Sequence, residues 1–411
     1  MKKIITIIFA LLLLCGVFAC AKNNVVEVEE TPEPATLTPT AIATNIATTK
    51  PSETATPEPS PTPKGLITGK CGDLTWMVNP RTHTLTISGE GEIPSYKGKP
   101  APWDKWGTDR YIGDSMGEGL FDRLVIEEGV TKIGKSAFSS KRFKQVSLPE
   151  SLQMIEAYAF SEADIGTLFI PKNVKTIENG ALQESLVYSV KVDPENKDFC
   201  VVNGVLFSKD MSRLMLYPIQ KDRDTTSYTV PSKVKRIDNG AFFRNIFADS
   251  SIEILILPEG LTHIGDSTFG GCTELTDLKL PSTVRSIGTW AFSGITLDEL
   301  IVPEGVTELP SYAFGNTFIN RIIVPASLKK IGVLAFSVGY RGANVYFLGQ
   351  PPVVVNDYPH DEEELIPKDG RDYFDRATLY YPRKYESAWA PNGEMEWSWY
   401  KIAPYDILPG S

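Results

Sequence analysis

Residues 278–292 read LKLPSTVRSIGTWAF, a phrase the chain repeats eight times. Clean copies lie at 168–182 (LFIPKNVKTIENGAL), 300–314 (LIVPEGVTELPSYAF) and 322–336 (IIVPASLKKIGVLAF). The marker prolines Pro258, Pro281, Pro303 and Pro325 are 23, 22 and 22 residues apart. In the phrase, Leu278 and Leu280 alternate with Lys279, so one strand face points inward. Pro281 has no N–H and ends the ladder. Val284 and Ile287 supply a second inward pair, and Gly288 allows a turn. Ala291 and Phe292 then fill the interior from a short helical or irregular turn.

One such coil buries too few side chains to offset the entropy of ordering its own backbone. Neighbouring coils must therefore stack and stand or fall together. Self-similarity at this period predicts a β-rich leucine-rich-repeat solenoid with one continuous interior. Its strands are expected to be parallel, its winding right-handed, its turns short and helical, and both its ends capped.

Composition narrows the function. The chain has 411 residues, 42% of them hydrophobic, which excludes wholesale disorder. Its 41 basic and 51 acidic side chains leave no basic footprint for nucleic acid. The five cysteines form no disulfide framework: Cys15 sits in the leader and Cys20 at its end, and Cys71, Cys200 and Cys272 are widely spaced. A Cys71–Cys200 bridge is left open, and Cys272 reads as a buried small hydrophobe.

The pattern divides the chain. Lys2 and Lys3 followed by an apolar run from Ile4 read as a signal peptide over 1–19. Residues 21–64 are rich in Thr, Pro, Ala and Glu, too polar to pack, and extended at ~3.1 Å per residue. With Cys20 they form a stalk over 20–64. Residues 65–122 are expected to form an N-terminal β cap, with a hairpin from LTWMV to TLTIS and Trp76, Trp103 and Trp106 packed on it. The solenoid is placed at 123–343. It is expected to carry a protruding hairpin insertion at about 186–228, where Asn203-Gly204 joins CVV to VLF. RNIFADSS (244–251) reads as a bulge, and a C-terminal cap follows over 344–411.

Three stretches together resemble the BspA-type leucine-rich-repeat proteins of bacterial surfaces. They are the opening CGDLTWMVN…TLTISGEGEI…APW, the coil phrase, and NGVLFSKD…LMLYP paired with a terminal LYYP…W. The chain departs from that pattern at Leu182, where Phe is usual, and at Cys200. Val17-Phe18-Ala19-Cys20 is similar to a bacterial lipobox, which implies diacylation of Cys20; ordinary cleavage and free secretion is the alternative. The resemblance implies a secreted or surface-tethered repeat protein, adhesive in some members, with no cofactor.

Chemistry finds little support. Gly113-Asp114-Ser115-Met116-Gly117 fits a nucleophile elbow, but no buried strand precedes it, and a Ser115-dependent hydrolase is the remote alternative. His83, His263 and His360 share no metal spacing. The run Asp361–Glu364 reads as solvated charge in an acidic loop. Trp389, Trp397, Trp399 and Tyr400 read as cap packing and not as a sugar platform.

The strand face that points away from the core is the better clue. Two residues before each proline stand Ser147, Phe169, Thr229, Ile256, Lys279, Ile301 and Ile323; two further back stand Gln145, Thr167, Ser227, Ile254, Asp277, Glu299 and Arg321. A merely solvated face does not need four bulky apolar residues, and exposed apolar patches mark partner sites. Phe169, Ile254, Ile256, Asp277, Lys279, Glu299, Ile301, Arg321 and Ile323 are thus the candidate binding residues. The expected role is a lipid-anchored extracellular module that recognises a protein or glycan. A structural envelope component without a ligand is the runner-up.

Overall fold

The computed structural model describes residues 65–107, 119–219, 226–243, 252–337, 342–355, 377–393, 396–397 and 400–408. All lie in the second of two compact units, Pro61–Ser411. The leader, Cys20, the stalk, the Ser115 elbow, residues 244–251, the acidic run Asp361–Glu364, His360 and Trp399 lie outside the described residues.

The chain forms a parallel-strand β-solenoid of about ten turns. Each coil gives one strand before its proline and a second, shorter one after it. Strand Thr296–Ile301 pairs in parallel with Phe318–Val324, which pairs with Ala343–Phe347. The short strands Arg236–Ile237, His263–Ile264 and Ser286–Ile287 form a second ladder. The Ala-Phe segments are hydrogen-bonded turns without helix, tighter than the helical turns expected. Their rungs run from coil to coil: the N–H of Phe269 donates to the carbonyl of Ala291 (2.8 Å), and that of Phe314 to Ala335 (2.8 Å).

Two backbone rules explain the phrase. The residue before each Ala-Phe is left-handed in every coil, whether Gly180 (φ 80°), Ser136 (57°), Tyr158 (62°), Trp290 (56°) or Leu334 (55°). The glycine that follows the isoleucine in four coils, Gly134, Gly265, Gly288 and Gly332, is there for a different reason. A Cβ on Gly288 would sit 2.4 Å from the Asp266 nitrogen, so the preceding coil leaves it no room.

Phenylalanines form a stacked spine. Phe269–Phe292, Phe292–Phe314 and Phe314–Phe336 have ring centroids 5.6, 5.3 and 5.5 Å apart. A first spine runs Trp103–Phe138–Phe160 at 5.3 and 5.5 Å. Leu182 falls between the two, and the second spine starts at Tyr217, stacked 5.0 Å from Phe242.

The interior is therefore not one continuous cluster but two that meet at the insertion. Strands Phe199–Val202 and Val205–Ser208 form the antiparallel hairpin, turned at Asn203 (φ 48°) and Gly204 (φ 79°). Both left-handed residues suit a two-residue turn. The hairpin does not protrude. Leu206, Met215 and Leu216 pack with the N-terminal cluster, while Val205, Phe207, Leu214 and Tyr217 pack with the C-terminal one. VLF and LML are apolar without alternation because both faces are buried. Strand Arg213–Leu216 then joins the short-strand ladder beside Arg236–Ile237. Strand Leu186–Val192 is an ordinary coil strand paired with Asp164–Ile170, so the insert proper begins after it.

At the front, Leu74–Asn79 pairs antiparallel with Thr84–Ser88, which templates the first coil strand, Arg123–Ile126, in parallel. Trp76 and Trp106 lie 5.2 Å apart, and Trp103 is buried with its Nε1 donating to the Ala137 carbonyl (3.0 Å). At the back, the repeat phrase ends at Phe336 but the ladder does not: Ala343–Phe347, Ala377–Pro382 and Tyr400–Tyr405 continue it in parallel.

Candidate binding surface

The outward positions of the long strands form rungs across the coils. Ser227, Ile254 and Asp277 are one rung; Glu299, Arg321 and Asn344 are another. Pleating sends alternate residues out, so Leu255, Leu278 and Leu300 are buried while their neighbours face outward. Ile256 and Ile301 are 52% and 54% exposed, and Ile254 and Phe169 are 38% and 37% exposed. Asp277, Lys279 and Glu299 are exposed as well.

Ile323 is a correction. It is only 7% exposed, although it holds the same place in the phrase. It lies between Ile301 and Tyr346 on its rung, and Tyr346 is itself 8% exposed and stacked on Tyr380 at 4.6 Å. The two tyrosines close the apolar face at its C-terminal end. Sequence reading missed them because no proline follows Tyr346 at the phrase spacing, and Pro382, two residues past Tyr380, stands outside the repeat phrase; the alternation in NVYF and TLYY was the available signal.

The charges divide into two kinds. Arg321 Nη1 reaches Glu299 Oε2 at 2.7 Å, and its guanidinium lies over the Tyr346 ring at 5.2 Å. These two neutralise each other. Asp277 and Lys279 make no ion pair among the described residues. An exposed cation thus sits between the exposed Ile256 and Ile301, with an exposed anion two residues away.

A second concavity, about 400 Å³, opens on the short-strand side between Arg285–Gly288 and Thr307–Pro310. It exists because no ladder pairing joins Ser286–Ile287 to Glu308–Leu309. Elsewhere the residue after the isoleucine donates to the previous coil, as Gly265 N does to Ile237 O (3.0 Å). Pro310 has no N–H to give. The polar groups around this cleft are already engaged: Lys330 with Glu308 (2.8 Å), and Arg285 with the Ser282 and Val284 carbonyls (2.9 and 3.0 Å).

The other candidates take structural places. Trp389 is buried, stacked on Tyr381 at 5.6 Å, with Nε1 donating to the Gly349 carbonyl (3.1 Å). Cys71, Cys200 and Cys272 are free thiols, so Cys71 and Cys200 are not bridged. Burial pushes the Cys71 thiol up to about 11, which keeps it a poor nucleophile. Cys272 is buried and its Sγ donates to the Phe242 carbonyl (3.1 Å). His263 is exposed, its Nδ1 2.8 Å from Thr262 Oγ1. No group of three acidic, His or Cys ligands converges among the described residues.

The family described as BspA type leucine rich repeat region matches six copies over residues 117–201 and 243–341. The repeats are BspA-type leucine-rich repeats. Solved structures similar to this chain include a leucine-rich repeat protein from Eubacterium ventriosum, at 23% identity and a TM-score of 0.44, covering 66% of this chain and 88% of that one. A leucine rich cell surface protein from Faecalibacterium prausnitzii is similar at 19% identity and a TM-score of 0.47, covering 69% and 95%. The pneumococcal vaccine antigen PcpA is similar at 19% identity and a TM-score of 0.46, covering 83% and 99%. No curated protein matches in sequence.

Proposed function

We propose that this BspA-type chain is a non-catalytic binding module, tethered outside the cell membrane through a lipid on Cys20, that recognises a protein through its long-strand face. The exposure of Ile254, Ile256 and Ile301 beside Asp277 and Lys279 carries the reading. Such side chains gain nothing from water, and repeat strands build extended recognition surfaces. Branched aliphatic side chains around Lys279 favour a protein over a glycan, whose flat apolar faces call for exposed aromatic rings; Tyr346 is nearly buried, and the exposed Phe169 belongs to a different strand group, paired with Leu186–Val192.

The test is retention of envelope and host-surface proteins by the full chain, compared with the Ile256→Asp/Ile301→Asp variant. Loss of specific retention with an unchanged melting temperature is expected. Equal retention by the variant contradicts the reading. Mass spectrometry of the mature protein checks the tether: a diacylglycerol on Cys20 is expected, and an unmodified N-terminus removes it.

A further inference from the structure

The spacing along this face limits what shape of partner fits it. Ile256, Lys279 and Ile301 hold equivalent places in three successive coils, whose spine residues are Phe269, Phe292 and Phe314. Along the buried spine the two coil steps are 5.6 and 5.3 Å between ring centroids; on the outward face, strand Ile254–Ile256 pairs with Asp277–Leu278, while no ladder pairing joins Asp277–Leu278 to Thr296–Ile301, so the second step follows the spine and not a strand ladder. An α-helix laid along the stacking direction rises ~5 Å in three to four residues and ~10.5 Å in seven. Its residues i, i+3 or i+4, and i+7 share one face and fall in step with the three coils. An extended strand repeats a face every ~6.7 Å, and falls out of step by the second coil.

The chemistry of the rungs reads apolar, cationic, apolar, with no ion pair on Lys279 among the described residues. Resting on the recognition role proposed above, we infer that the partner segment is an amphipathic helix aligned with the solenoid axis. It carries apolar residues at i and i+7 over Ile256 and Ile301 and an Asp or Glu at i+3 or i+4 over Lys279. Helix docking through such anchors is a general recognition mode, and the buried Lys–carboxylate contact sets its polarity and specificity. Ile254, on the neighbouring outward row, widens the apolar seat, and Asp277 disfavours an acidic residue on that flank.

The full chain is panned against a displayed library of helix-stabilised peptides randomised at i, i+3, i+4 and i+7. Enriched clones are expected to be apolar at i and i+7 and acidic between. Their synthetic peptides should bind at least tenfold more weakly to Ile256→Ser and to Lys279→Glu. Panning on Lys279→Glu should exchange the acid for Lys or Arg. No enrichment, clones without the acidic residue, or clones unchanged on Lys279→Glu overturns the helix. If the partner captured by the envelope experiment still depends on Ile256 and Ile301, the helix fails alone and the binding face stands. If that dependence is also absent, both fall.

Discussion

At the scale of single residues, the phrase records backbone demands more than side-chain preferences. The position before Ala-Phe is left-handed in every coil, and a non-glycine pays ~1–2 kcal/mol there. Ser136→Gly is therefore expected to raise stability by about 0.5–1 kcal/mol in denaturant unfolding, since the left-handed strain goes. Gly240→Ala should do the reverse: a Cβ there meets the Glu184 nitrogen at 2.4 Å, and a loss of roughly 2–4 kcal/mol is expected. Asp210 turns the end of the hairpin. Its Oδ1 accepts from Ser208 Oγ (2.6 Å), from the Ser212 N–H (3.0 Å) and from Ser212 Oγ (2.9 Å). The Ser208 hydroxyl foremost, with the Ser212 donors, lowers its carboxyl to about 2. A lowered carboxylate stabilises the fold above its unfolded value of 3.8, and that contribution is lost as pH falls through about 2. A carbon-13 NMR titration of Asp210 should give a midpoint near 2, moving toward the ordinary value in Ser208→Ala. The left-handed position was invisible in the sequence because Ser, Tyr, Trp and Leu fill it as readily as Gly.

At the scale of elements, marker prolines and alternation located the coil strands, and Asn203-Gly204 located the hairpin turn. The hairpin's destination was misjudged. Its uninterrupted apolar runs at 205–207 and 214–217 describe strands buried on both faces, which a protrusion would not need. Burial of Ile323 escaped the same way: it depends on Tyr346 in the next coil, which local spacing does not report. The insert is also tied by charge. Arg213 Nη2 meets Asp238 Oδ2 at 2.5 Å and also reaches the Ile177 carbonyl at 3.3 Å, spanning the coils on either side. Asp238 keeps Arg236 at 3.5 Å as a second partner. Arg213→Ala is expected to cost roughly 2 kcal/mol, less than the full loss of a buried pair. Cooperative unfolding of both halves should become less sharp in calorimetry, because the insert is where the two clusters meet.

At the scale of the described solenoid, two spines of stacked rings support one outward face whose apolar residues the fold does not use. The repeat period made the architecture legible at once, while the seam at Pro310 and the tyrosine closure needed coordinates. The face matters only if inside and outside are as distinct as Leu300 and Ile301 suggest, one fully buried and the other half exposed on the same strand. The decisive measurement is the thermal unfolding midpoint of Leu300→Asp against Ile301→Asp. A charge in place of Leu300 has no partner and should cost at least ~3 kcal/mol, a fall of several degrees or outright misfolding. The same charge one residue later should move the midpoint by no more than about 2 °C. Equal falls for the two variants would mean that Ile301 belongs to a core, and the recognition face would not exist.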